Sequence, residues 1–121
     1  MPAAKANPRV RAKRVYEPPA GDDGMRVLVD RLWPRGLPKA RAAVDLWLKD
    51  LAPSVHLRRW FNHDPSRWTE FTQRYAEELD AKKAGVAALL GAARRGNVTL
   101  VFGARDEEHN NATALLSYLT R

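Results

Sequence analysis

Residues 97–102, Asn-Val-Thr-Leu-Val-Phe, restrict the fold more than any other segment. They read as a strand whose Val98, Leu100 and Val101 need an interior place in a sheet. A second strand is expected over 25–30, where Val27 to Val29 is apolar enough to be buried on both faces. Helical signals supply the cover. Asp64-Pro65 pairs an N-cap acceptor with proline at the first helical position, and Trp68, Phe71, Tyr75 and Leu79 follow at helical spacing. That pattern predicts a long amphipathic helix over 65–80. Ser54 caps a helix with an apolar face of Leu57, Trp60 and Phe61, and residues 84–95 form another, closed by Gly96. Asp106 is expected to cap a last helix with a stripe of Ala112, Leu115, Leu116 and Leu119.

Residues 10–16 alternate in the manner of a mostly solvated edge strand, and residues 17–24 are turn chemistry. Residues 38–51 fit either one helix or a short helix followed by a strand. The expectation is one α/β domain over 9–121, with helices packed on a small mixed sheet, after an Ala-rich disordered lead-in at 1–8. A chain of 121 residues suits one such domain.

No run approaches the roughly 20 apolar residues of a membrane span, so no membrane is expected as a partner. The first 14 residues lack an apolar run and a cleavage site, so no secretory signal is read there. Cysteine is absent, which removes disulfides, thiolate metal sites and cysteine nucleophiles, and a cytoplasmic location is expected. The formal charge of +7 is concentrated at one end. Five of the 21 basic residues and none of the 14 acids fall within residues 1–14. The rest of the chain is nearly balanced.

The glycines form neither a dinucleotide-binding fingerprint nor a phosphate-binding loop, and no nucleophile elbow is present. His56, His63 and His109 show no metal-ligand spacing, so no metal and no cofactor are expected. The most unusual stretch is Asp30-Arg31-Leu32-Trp33-Pro34-Arg35-Gly36. Its guanidinium forks suit a carboxylate or phosphate, and Trp33 serves either as a wall for a ring or as a buried anchor. Asp30 reads as a base, a metal ligand, or the ion partner of Arg31 or Arg35. A second polar segment, 103–110, leaves the strand at 98–102. It offers Arg105, His109 and Asn110, whereas the acids behind Asp106 complement a helix dipole and repel a phosphate.

If the two strands are parallel neighbours, these segments face one another. The expected site then takes a small anion or phosphate-bearing ligand on Arg31, Trp33, Arg35, Arg105 and Asn110. Asp30 and His109 are the candidates for acid–base work. A rival reading is a nucleic-acid-binding module using the basic N-terminal segment with Arg31 and Arg35. A third is a protein-interaction domain without a ligand. Oligomeric state is not legible.

The strings KRVYEPP, RVLVDRLWPRGL, WLKDLAPS, LRRWFNHDPSRWTEFTQRYAEEL and VTLVFGARDEEHNNA resemble the YeaO-like proteins of the DUF488 family, from about Arg9 to the C-terminus. The resemblance implies a bacterial cytoplasmic α/β domain and favours a strand near 46–49. It supplies no established activity or cofactor. More distant members carry cysteines in the segment similar to 101–112, at the positions of Phe102 and Asn110 here. Asp106 and His109 match those members.

Overall fold

The computed structural model describes residues 9–120; the lead-in expected over 1–8 lies outside them. Val10–Arg14 forms β1, Met25–Leu28 β2, Leu46–Trp47 β3 and Val98–Phe102 β4. Five helices accompany them: α1 Lys39–Ala42, α2 Val55–Phe61, α3 Trp68–Asp80, α4 Lys83–Arg95 and α5 Asn111–Leu119. The strands lie in the order β1-β4-β2-β3, and every pairing is parallel. The sheet is therefore parallel, where a mixed one was expected. Loops and helices return the chain to the same end of the sheet before each strand, which parallel neighbours require.

All five residues of β4 are buried, as expected of the 98–102 segment. Side chains alternate between two cores. Val27, Val29, Leu100 and Phe102 meet Leu57, Phe61, Phe71, Tyr75, Leu79 and Leu115 on one face. Leu28 and Val101 meet Val15 and Ala42 on the other, with Trp33 and Trp47 packed against them. Edge strand β1 carries its cations outward but not unpaired: Arg11 bonds Asp22, and Lys13 reaches Asp23 at 3.0 Å.

Residues 38–51 settle as helix, then strand. α1 ends at Ala43 in the left-handed region (φ 49°), and Leu46 and Trp47 pair with Val27 and Leu28. Asp45 fixes this register by accepting from Arg26 N–H through Oδ2 and donating its own N–H to the Arg26 carbonyl. Tertiary pairing outweighs the local helical stripe. The helix expected over 65–80 starts as a 3₁₀ turn at Pro65–Arg67, with Asp64 capping through Ser66 N–H, before α3 takes over.

One correction concerns Asp106. It does not cap the last helix. Asn110 does, its side chain accepting from Thr113 N–H at the start of α5. Asp106 instead closes the preceding turn by accepting from the N–H groups of Glu108 and His109, both at 2.9 Å. The sequence holds two good capping residues four positions apart, and the second occupies the N-cap.

The topology has a consequence for ligands. After β2 the chain moves toward β3, whereas after β4 it enters α5, which packs on β1 and β4. The chain thus leaves two adjacent parallel strands in opposite directions. Such a switch point opens a crevice beyond the strands' carboxyl ends, where open α/β sheets bind their ligands.

Candidate functional site

The segments after β2 and β4 converge as their parallel pairing requires. A cavity of about 610 Å³ lies between them and α2. Asp30 lies at its floor, half-buried. Its Oδ2 accepts from Gly103 N–H at 2.7 Å and its Oδ1 from the Asn111 side-chain amide at 3.0 Å. Trp47 Nε1 donates to the Asp30 carbonyl at 2.7 Å, which fixes the backbone as well. Burial pushes the Asp30 carboxyl above the usual range, opposed by Gly103 N–H, the Asn111 amide and the charges of Arg58 and His63. The expected ion pair with Arg31 or Arg35 is absent among the described residues. Arg31 instead donates to the Pro53 carbonyl at 3.4 Å.

The 30–36 loop is held at both sides of its bend. Trp33 Nε1 donates to the Leu37 carbonyl at 2.7 Å, and its ring meets the Trp47 ring edge-on at 5.4 Å. Tyr16 O–H donates to the Arg35 carbonyl at 2.9 Å. These anchors use the backbone and the indole, and they leave the Arg35 guanidinium exposed at the cavity.

Opposite this loop, His109 is oriented by Asp106, whose Oδ2 lies 2.9 Å from Nδ1. The ring also stands edge-on to Trp68 at 5.1 Å. Asp106 is held down to about 2 by the Glu108 N–H, the His109 ring and the His109 N–H. A carboxylate fixing Nδ1 leaves Nε2 as the nitrogen able to exchange a proton or bond a ligand.

Of the residues singled out from sequence, Asp30, Arg31, Trp33, Arg35, His109 and Asn110 line this one cavity. Arg105 does not; it is exposed and lies off the cavity, because the 103–110 turn directs it away from the β2 loop. Asn110 reaches the wall but spends its amide on the fold, donating to the Asp106 carbonyl and accepting from Thr113 N–H.

Sequence reasoning missed the third wall, which α2 provides. Arg58, Arg59, Asn62 and His63 line the cavity from there. The two arginines occupy the last turn of α2, where cations ordinarily complement the helix dipole, and that bland role hid them. Asn62 and His63 both hold positive φ, 48° and 54°. Left-handed backbone at two successive non-glycine residues is uncommon, and both side chains line the cavity. Asn111 was missed for a different reason, as the second member of an Asn-Asn pair whose first member caps the helix. Among the described residues, no three acids or histidines gather as a metal-holding group. No helix of the described residues is long and apolar enough to cross a membrane.

The comparisons with known proteins agree with one another. The family model described as the inactive DUF488-N3 subclade matches residues 9–121. An uncharacterised protein of Mycobacterium tuberculosis is 46% identical over 111 residues, covering 92% of this chain and 93% of that protein. The uncharacterised Escherichia coli protein YeaO is 36% identical over 110 residues, covering 91% of this chain and 96% of its own. No solved structure matches the chain significantly.

Proposed function

Because the chain belongs to the YeaO-like DUF488 family, within the subclade described as inactive, we propose that its strand-end cavity binds a small phosphate-bearing anion without transforming it. One observation carries this reading. Arg35, Arg58 and Arg59 line the cavity and form no ion pair among the described residues, although the charge of Arg58 acts on Asp30. The one carboxyl in the lining, Asp30, is occupied by two hydrogen-bond donors. Positive charge at the cavity therefore exceeds negative charge, and guanidinium forks match phosphate oxygens in pairs. The position at the switch point of the sheet supports the same reading.

The nucleic-acid alternative loses ground on a specific point. The cations of the basic segment that are described already have partners: Arg9 on the Arg94 carbonyl, Arg11 and Lys13 on Asp22 and Asp23, Arg14 on the Ala104 carbonyl. Breaking those contacts would offset much of what phosphate contacts return. An oligonucleotide titrated at low salt checks it, with tight, steeply salt-dependent binding as the outcome that would restore the rival.

Isothermal titration with inorganic phosphate tests the proposal itself. Binding is expected, weakening with salt, and the double variant Arg58→Ala/Arg59→Ala should lose about tenfold or more in affinity. Arg105→Ala, off the cavity, should bind as the parent does. No heat at millimolar phosphate, or a double variant that binds normally, overturns the reading.

A further inference from the structure

Resting on that reading of the cavity as an anion site, we infer that the anion is carried on a ribonucleoside: the cavity combines a guanidinium rim, a hydrogen-bond-accepting floor and an aromatic wall. A bare anion would use only the first. The rim consists of Arg35 on the loop after β2 and Arg58 and Arg59 on α2.

The floor has the opposite character. Asp30 spends one acceptor site on each oxygen, toward Gly103 N–H and the Asn111 amide, and a carboxylate has about four such sites. Asn111 donates with its nitrogen, which leaves its side-chain oxygen without a hydrogen-bond partner among the described residues. Two neighbouring acceptors of this kind repel a second phosphate and call for donors on the ligand. Hydroxyl groups of a sugar meet that demand, as ribose hydroxyls do at strand-end carboxylates in dinucleotide sites.

The wall distinguishes a nucleoside from a simple sugar phosphate. Trp33 and Tyr16 both line the cavity, and Tyr16 stays 40% exposed although its hydroxyl is tied to the Arg35 carbonyl. The Arg14 guanidinium lies over one face of the Tyr16 ring at 5.0 Å, and the part of this rigid aromatic that stays exposed is offered to a flat apolar group. The size also fits. About 610 Å³ lies within the range of cavities that enclose ligands of several hundred daltons, and it is generous for a lone phosphate. The chemistry is binding alone, so no bond is made or broken.

Titration of the full chain with AMP, ribose 5-phosphate, 2′-deoxy-AMP and inorganic phosphate reads each part separately. AMP is expected to bind about tenfold or more tightly than ribose 5-phosphate, the difference being the stacked base. Ribose 5-phosphate should exceed inorganic phosphate, and 2′-deoxy-AMP should fall several-fold below AMP. Trp33→Phe, which keeps a ring against Trp47, should reduce the preference for AMP over ribose 5-phosphate. Tyr16→Ser should reduce the same preference, whereas Tyr16→Phe, which keeps the ring and loses only the bond to the Arg35 carbonyl, should retain it. If AMP and ribose 5-phosphate bind equally, or all four ligands bind alike, the nucleoside inference falls while the anion site stands. If none binds, both fall together.

Discussion

Replacing Asp30 by asparagine isolates what the charge at the cavity floor does to the fold. The carboxylate accepts from Gly103 N–H at 2.7 Å and from Asn111 at 3.0 Å, in a place where burial pushes its pKa up from 3.8. The sign follows from proton counting. Between 3.8 and the raised value, the native state holds a proton that the unfolded chain has already released. Stability therefore falls as pH rises through that window and stays at the lower level above it. Asparagine has no charge to desolvate. It keeps an oxygen for Gly103, and its new amide meets the Asn111 oxygen once that side chain turns over. Each neutral bond retains roughly 1 kcal/mol, so Asp30→Asn should stand within about 1 kcal/mol of the parent near neutral pH, on the stable side. Asp30→Ala abandons both donors. Leaving the Gly103 amide without a partner costs about 1–3 kcal/mol, or a Tm lower by roughly 4–15 °C in a chain of this size. Thermal melts of the three proteins from about pH 3 to about pH 8 measure all of this. The gap between parent and Asp30→Asn should be widest near neutrality and close toward acid. An Asp30→Asn protein that melts as low as Asp30→Ala near pH 7, or a gap that does not change with pH, refutes the reasoning.

Four further predictions concern the frame around the site. Gly24 holds φ 64° and ψ −134°, and a Cβ there would be driven into the Asn97 carbonyl. Gly24→Ala should cost about 3 kcal/mol or more, read by urea denaturation at constant slope. Arg26, only 2% exposed, bonds Asp23 at 2.8 Å and the carbonyls of Ala42 and Val15. Arg26→Met should cost about 2–4 kcal/mol, with Asp23→Asn recovering part of it in the double variant, because Lys13 still faces Asp23. Asp23 also sets an acid limb: burial alone would raise its pKa, yet the Ala20 N–H, Lys13 and Arg26 hold it below 3.8. The stability it contributes is present above that value and is lost as pH falls through the lowered one, so Asp23→Asn should flatten the acid end of the melt profile. Tyr75 O–H donates to the Leu51 carbonyl at 2.5 Å in the core. Tyr75→Phe should cost about 1–3 kcal/mol with no change in anion binding, checked by melts and titration together.

The parts legible in the sequence were those written in one segment at a time. Val98, Leu100 and Val101 announced an interior strand, and Ser54 announced a helix start that the Leu57 N–H bond bears out. The convergence of 30–36 with 103–110 was legible conditionally, from two strands leaving polar loops at the same end. What stayed hidden depended on partners far apart in the chain. The register of β3 rests on Asp45 bonding Arg26, and the buried Asp23–Arg26 pair looks from sequence like ordinary surface charge. Arg58 and Arg59 were hidden by a sufficient local explanation, their fit to the end of α2. Arg105 was misplaced because a turn's direction is not encoded in the identity of its residues.

If the cavity binds an anion without transforming it, as proposed, the distribution of its groups over the elements bears on how binding and reaction can be separated. The resemblance puts the cysteines of more distant members at Phe102, the last residue of β4, and at Asn110, the N-cap of α5. Here each side chain is taken up by folding: Phe102 is 2% exposed in the core, and Asn110 uses both ends of its amide to start α5. Neither offers a thiol or another nucleophile. The guanidinium groups come from other elements, α2 and the loop after β2, and Asp30 is braced by Gly103 and Asn111, not by the replaced positions. Changing the side chains at 102 and 110 therefore removes none of the three arginines and neither donor to Asp30. Binding groups and reacting groups that sit on separate elements can be lost separately, since each makes its own contribution to the ground state and to the transition state. On the proposed reading, His109, oriented by Asp106 at 2.9 Å and lining the cavity, offers Nε2 as a bond to the ligand.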